Sequence, residues 1–274
     1  MKTNSGQLIG LFCMLVLFFN LAYPQPQNKL LFPFLLPDSL ATKTTINDNG
    51  KPIVPLQAHF QNYVNQYLDE NAEILEHIRE TNSRKFNTIQ KILVKRGIPA
   101  GLMYLAIVES ELKNGATSRV GAAGIWQLMP ETARTFGLHV NGKTDERRNT
   151  SQSSVAAANY LTELYNQFDD WLLVVAAYNC GSGKVYKAIK QSGSREFWKL
   201  QRFLPAESRS HVKHFIATHF YYEKTGSIVT LTKKERIRYL ASLNEMAVKA
   251  DEPKPGGSLD SCNQASPAVL VSLQ

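Results

Sequence analysis

Leu102-Met103-Tyr104-Leu105-Ala106-Ile107-Val108-Glu109-Ser110 decides the fold of this chain. Apolar side chains at 102, 103, 105, 106, 107 and 108 cover nearly every face of a helix, so that helix belongs inside the molecule. Pro99 stands where a first helical turn tolerates it. Upstream, Phe60, Tyr63, Val64 and Tyr67 fall at i, i+3, i+4 and i+7, the helical period. Ile89, Ile92 and Leu93 repeat it before Lys95-Arg96-Gly97, cations in a last turn and then a C′ glycine. Downstream come a glycine-rich stretch with Gly121 and Gly124, and a short helix from Pro130 to Phe136. Val155, Ala158, Leu161, Leu164 and Phe168 mark another helix. Trp171 to Tyr178 is a second all-round apolar helix, ended by Gly181 and Gly183. Thr232 with Glu235 is a capping-box start for a late helix near 237–246. No convincing period-two run occurs, so the fold class is all-α.

With 274 residues, 20% of them charged and 43% hydrophobic, the chain can bury a full core. Lys2 and the apolar run from Leu8 to Ala22 describe a secretory signal peptide over 1–22, too short for a comfortable membrane span. A retained anchor helix is the alternative. Phe12 before Cys13 is too bulky for a lipoprotein cleavage site. Residues 23–57 are rich in Pro, Asn and Thr and form a linker. Its apolar run 30–36 is interrupted by Pro33 and closed by Pro37, and is expected to pack on the domain surface. Helices over 58–96 are expected to pack on the main domain, 97–225, followed by a helical segment over 226–250. Residues 251–274 have the Pro/Gly/Ser composition of a flexible, disordered tail.

A net charge of +8 suits an anionic partner: nucleic acid, a membrane surface or an acidic polymer. Export and scattered Lys and Arg argue against nucleic acid. Three cysteines and six histidines show no metal-ligand spacing, so neither metal nor cofactor is expected. Cys180 and Cys262 are distant in sequence and carry no spacing signal for a disulfide.

Glu109 closes the first apolar helix. It is either the polar end of a core helix turned to water, or a carboxyl held against apolar walls. In the second case desolvation disfavours its charged form, which is what a general acid near neutral pH needs. The neighbours favour the second. Glu109-Ser110, Ser118, Gly121-Ala122-Ala123-Gly124-Ile125-Trp126-Gln127-Leu128-Met129-Pro130, Thr132-Ala133 and Gly137-Leu138 together resemble the SLT domain of lytic transglycosylases. Ala176-Ala177-Tyr178-Asn179-Cys180-Gly181 resembles that family's second motif, and Leu204-Pro205-Ala206-Glu207-Ser208 its third. Asp145-Glu146-Arg147 and Arg96-Gly97-Ile98-Pro99 are similar to the membrane-bound type D branch. The resemblance covers residues 57 to 225, and ordered motifs in one register are more specific than one short pattern.

The resemblance implies a lysozyme-like SLT catalytic domain acting on peptidoglycan glycan strands in the periplasm or cell envelope. There it cleaves the β-1,4 bond between N-acetylmuramic acid and N-acetylglucosamine. One Glu protonates the glycosidic oxygen, then takes the proton of the muramic acid 6-hydroxyl as that oxygen closes on C1, leaving a 1,6-anhydro end. By motif position Glu109 is that acid and base. Ser118 is implied to bond near it, Gln127 and Met129 to wall the cleft, Tyr178 and Asn179 to flank the sugar, and Glu207 to line the groove. Each has a plainer reading: Ser118 as a turn cap, Gln127 and Met129 as ordinary positions, Trp126 and Trp171 as core.

Ordinary glycosidases use two carboxylates. Glu111 is expected on a different helix face and Glu131 in the first turn after Pro130, so neither is an evident partner. An internal hydroxyl nucleophile needs none. Asp145 or Asp169 could still fold into the site. Cys180 stands where the family usually has Ala, which a thiol can replace. His211 stands where it usually has Tyr, altering hydrogen bonding or pH sensitivity. Competing classes are a hydrolytic muramidase and a non-catalytic peptidoglycan-binding protein on the same fold. Association with membrane or wall stays open.

Overall fold

The computed structural model describes residues 53, 54 and 56–251 of the 274. The leader, most of the linker with its apolar run 30–36, Cys13, Cys262 and the tail beyond 251 lie outside the described residues. The described chain is helical. Its β-pairing is confined to isolated bridges at Thr117 with Ala123, Ala123 with Leu128, and Val140 with Asp145.

Helix α1 spans Ala58–Thr81 and α2 spans Ser83–Lys95. The stretch around 102 is not one helix. A 3-10 turn, Ala100–Met103, leads into a short α3, Tyr104–Ser110. Tyr104, Leu105, Ala106 and Ile107 are buried, as the pattern required. Helix α4 is Pro130–Thr135, α5 is Thr150–Phe168, α6 is Trp171–Cys180 and α7 is Ser182–Ser192. Gly181 ends α6 with φ 84°, but Gly183 lies inside α7 rather than in a terminating loop. The chain continues through α8, Phe197–Leu200, and α9, Ala206–Glu223, to α10, Lys233–Asp251.

The core is built around α6, whose residues from Trp171 to Ala177 are all buried. Helix α5 packs on it through Ala157, Leu161, Leu164 and Phe168, and α9 through Val212, Phe215 and Ile216. Burying a large apolar side chain stabilises by roughly 1.5–3 kcal/mol, so this central helix carries much of the stability. Asp170 caps it: its Oδ1 accepts from Leu172 N (3.0 Å) and Leu173 N (3.3 Å). Its Oδ2 accepts from Lys233 N at 2.6 Å, which ties the start of α10 to the start of α6. The expected capping box forms, with Glu235 Oε2 accepting from Thr232 N (2.8 Å), but α10 begins at Lys233 and runs longer than 237–246.

Helix α1 is fastened to α9. Tyr67 and Thr218 share a hydroxyl hydrogen bond (2.9 Å), Tyr221 donates to Glu76 Oε2 (2.7 Å), and Tyr222 donates to Leu75 O (2.7 Å). Among the described residues no helix is long and apolar enough to cross a membrane.

Candidate active site

Glu109 is the penultimate residue of α3, and the turn that follows sets its position. Glu111 and Leu112 both adopt left-handed conformations, φ 54° and 59°. Glu111 is therefore the cap after α3 and not, as the helical spacing implied, a residue on another of its faces. Leu112 is driven into the core, 1% exposed, and its N–H reaches Ala106 O at 3.4 Å. That burial offsets a conformation that L-residues otherwise avoid.

The loop from 114 to 129 is then pinned to α3 and α5. Ser110 Oγ donates to Ile125 O at 2.9 Å, and Trp126, fully buried, donates from Nε1 to Ser154 Oγ at 2.9 Å. Trp126 and Trp171 are both core residues. Arg147, 8% exposed at its side chain, braces the loop from behind. Its Nη1 donates to Gly121 O (2.7 Å) and Leu128 O (2.9 Å), while Asp145 takes Nε at 2.8 Å. A buried guanidinium needs such complete pairing. The same Arg147 bond is the main cause holding the Asp145 carboxyl below the usual carboxylate range. Gly124 passes so close to this brace that a Cβ would sit 1.9 Å from Arg147 O.

Opposite, α6 and α9 close on the end of α3. His211, on α9, meets Glu109 directly: Nε2 lies 3.0 Å from Oε1, with the two side chains 10% and 13% exposed. Tyr178, on α6, donates its hydroxyl to Trp126 O at 2.7 Å. Burial first, and the nearby Glu109 charge second, push the Tyr178 phenol well above its ordinary range, so it stays a neutral donor. Asn179 Oδ1 accepts from Ser208 Oγ at 2.7 Å, joining the second and third motifs.

Of the residues singled out in the sequence, Tyr178 lies near enough to Glu109 to feel its charge, and Asn179 is bonded to Ser208. Ser118 Oγ accepts from Ala122 N at 3.0 Å, the turn-capping bond. Gln127 has φ 45° and donates from Nε2 to Gly124 O at 2.8 Å. Met129 is 41% exposed, a large apolar side chain at the surface. Glu207 lies exposed in the first turn of α9. Asp145 is engaged by Arg147 and Arg148, and Asp169 by Lys233 and Arg236. Burial alone would raise the Asp169 carboxyl, but its bonds from Lys233, Arg236 and Tyr165 hold it at about 2. Glu70 and Glu111 line a cavity of about 350 Å³ between α1 and α3 with Ile107 and Val108. Among the described residues no cluster of His, Cys, Asp and Glu could hold a metal ion.

Sequence reasoning did not foresee the buried Arg147 brace or the Glu109–His211 contact. Only the substitution at 211 and the Asp145-Arg147 spacing hinted at them.

A short buried helix presenting one carboxyl, followed by a left-handed turn, thus sits in an all-α domain built around a second apolar helix. Residues 87–201 match the family model described as the Transglycosylase SLT domain. Membrane-bound lytic murein transglycosylase D of Escherichia coli strain K12 is 45% identical over 128 residues, 45% of this chain and 28% of that protein. Soluble lytic murein transglycosylase of the same strain is 27% identical over 183 residues, 61% of this chain and 28% of that protein. The solved 70-kDa soluble lytic transglycosylase in complex with bulgecin A aligns with a TM-score of 0.51 at 22% identity, covering 64% of this chain and 31% of that one. The chain therefore spans under a third of the length of these relatives.

Proposed function

We propose that this chain is an exported lytic transglycosylase of the cell envelope, acting on peptidoglycan glycan strands. It cleaves the β-1,4 bond between N-acetylmuramic acid and N-acetylglucosamine and leaves 1,6-anhydro-muramic acid ends. The observation that carries this reading is the placement of Glu109. A single carboxyl ends a buried helix inside the matched segment, with Oε1 held by His211.

The chemistry balances with that one group. Protonated Glu109 gives its proton to the glycosidic oxygen as the bond to C1 breaks. The resulting carboxylate then takes the proton of the 6-hydroxyl while O6 bonds to C1. Glu109 ends protonated, and no water is consumed. The nucleophile is part of the substrate, so the second step has the advantage of an intramolecular reaction. Tyr178 and Asn179 flank the reacting sugar; Ser118 steadies the loop beside Glu109. Gln127 and Met129 wall the cleft, and Glu207 lines its rim. The surplus positive charge favours a polymer carrying lactyl and peptide carboxyls.

Digestion of purified peptidoglycan followed by mass spectrometry tests the proposal. Products lighter by one water than reducing ends support it. Reducing ends make the protein a hydrolase and point to Glu70 or Glu111 as the second carboxylate. Glu109→Gln is expected to fold and to lose at least about 1,000-fold in rate, the scale of a lost essential acid. Wild-type turnover by the folded variant overturns the assignment.

A further inference from the structure

Burial and pairing around Glu109 leave one group that the two-step reaction does not use. His211 is a buried imidazole with one nitrogen on the carboxyl and the other, Nδ1, without a hydrogen-bond partner. We infer that His211 is the positioning residue of Glu109, a neutral imidazole with its proton on Nε2 that holds Oε1 so that Oε2 faces the reacting bond throughout. The inference rests on the reading of Glu109 as acid and base.

The tautomer follows from what each alternative would face. After the first step Glu109 is a carboxylate, so Nε2 must be a donor; a lone pair there would meet the lone pairs of Oε1. Before the first step the proton has to be on Oε2 to reach the sugar. A proton on Oε1, shared with Nε2, would be withheld from the substrate. One arrangement, Nε2–H donating to Oε1, serves both halves. The bare Nδ1 agrees with it. An Nδ1–H would be a buried donor without an acceptor, and an imidazolium would add a buried charge to that deficit.

This arrangement has a competitor with the same number of protons. The pair can hold one proton as carboxylic acid and imidazole, or as carboxylate and imidazolium, and only the first can protonate the glycosidic oxygen. Activity is highest where the pair holds one proton, and falls on the alkaline side as Glu109 loses it and on the acid side as His211 gains a second. A phenol at position 211 donates to Oε1 in the same way but takes up no proton, so it removes the acid limb alone.

The neighbouring groups define the controls. Tyr178 faces Glu109 from α6, while Tyr67 and Glu70 come from α1 and Glu111 from the turn after α3. Arg202, in the 3-10 turn before α9, is exposed and stacks on Phe203. On α9 itself, Glu207 is exposed and Lys213 lies over the Tyr63 ring. His214 is held below the usual imidazole range by burial first and by repulsion from His211 second. His214 is therefore the other group whose protonation could produce an acid limb.

The experiment uses the full chain and two independent readouts. Nitrogen-15 spectra of histidine-labelled protein report the tautomer directly, with the His211 signals assigned by their loss in His211→Tyr. Expected is an unprotonated Nδ1 and a protonated Nε2 at the pH of maximum activity; an Nδ1–H tautomer or an imidazolium there overturns the inference. Profiles of kcat/KM against pH on peptidoglycan form the second readout. Wild type and His214→Gln are expected to be bell-shaped, while His211→Tyr keeps the alkaline limb and plateaus on the acid side. An acid limb that persists in His211→Tyr, or vanishes in His214→Gln, overturns it. His211→Phe is expected to lower kcat about 10- to 100-fold, the range for losing a hydrogen bond to a charged group, with KM within about twofold. A folded His211→Phe with wild-type kcat overturns the positioning role. Failure of the underlying reading appears separately, as an active Glu109→Gln.

Discussion

Helices α2 and α3 end within sixteen positions of each other, at Lys95 and Ser110, in opposite ways. At the end of α2 a glycine takes the left-handed conformation, Gly97 with φ 70°. Its N–H donates to Val94 O (2.9 Å) and that of Ile98 to Leu93 O (3.0 Å), which satisfies the last carbonyls at little conformational cost. At the end of α3 two side-chain-bearing residues, Glu111 and Leu112, take the left-handed region in succession. Gln127, in the loop pinned to α3, does the same. Among the described residues, three of the five non-glycine left-handed positions thus lie in the turn after Glu109 or in the loop pinned to α3, while the other two, Asp169 and Lys224, are single residues that end α5 and α9. Strained backbone persists only where surrounding contacts over-determine it. Here those contacts are the Leu112 burial, the Ser110 bond to Ile125 O and the Arg147 brace.

Four measurements would break or sharpen that contrast. The largest effect is expected at the braced end. Gly124→Ala places a Cβ 1.9 Å from Arg147 O at a φ of 78°, so the loop must move. A loss of at least about 4 kcal/mol in chemical denaturation is expected, with activity lost too. A loss under about 1 kcal/mol would show the brace to be slack.

The next largest effect lies beyond the relaxed end, where the chain from α2 runs to Gly101 and a Cβ would sit 3.0 Å from the buried His219. Burial pushes the His219 imidazole down to about 4, so between that value and the unfolded value near 6.5 the unfolded chain binds more protons. Stability then rises with pH across this window: the contribution is full above about 6.5 and lost as pH falls toward 4. The whole amounts to about 3 kcal/mol. Asp170, pushed up to about 6 by burial against its three backbone bonds, slopes the other way between about 4 and 6. The informative quantity is the difference between wild type and His219→Gln across that range. A pH-independent difference would remove His219 from the account.

Gly97→Ala meets nothing within 4 Å and has only its φ of 70° to resist. A cost of about 1 kcal/mol in unfolding free energy is expected, so a cost near that of Gly124→Ala would erase the distinction between the two ends. The smallest effect is at Glu111. Glu111→Gly releases the left-handed strain and gives up an ion pair with Lys113 between exposed side chains. A gain within about 1 kcal/mol is expected. A loss above about 2 kcal/mol would mean that the turn is held by its side chains rather than against its backbone.

The same contrast explains what could be read from the sequence. The end of α2 was legible because glycine after a cationic turn states its own geometry. The end of α3 was not, because Glu and Leu carry no turn signal; tertiary burial of Leu112 imposes the conformation. Gly183 misled in the other direction, since a helix stabilised by packing tolerates a glycine near its start. Helix α9 showed no clear stripe because its buried face includes Ser208, His211, Thr218 and His219 among the apolar residues. At the candidate site, ordered motifs pointed to Glu109 and Tyr178. The Glu109–His211 contact joins residues 102 positions apart, and such a separation has no local signature.

The family match ends at residue 201, yet α9 begins at 206 and brings His211 to the carboxyl. Helix α9 is in turn bolted to α1, which lies before the match begins. Anyone grafting this domain into another protein, or trimming it to the recognisable stretch, would cut away the partner of Glu109 and the wall that seats it. The unit to keep together runs from α1 through the Thr232–Glu235 cap of α10, just over sixty residues longer than the matched stretch alone.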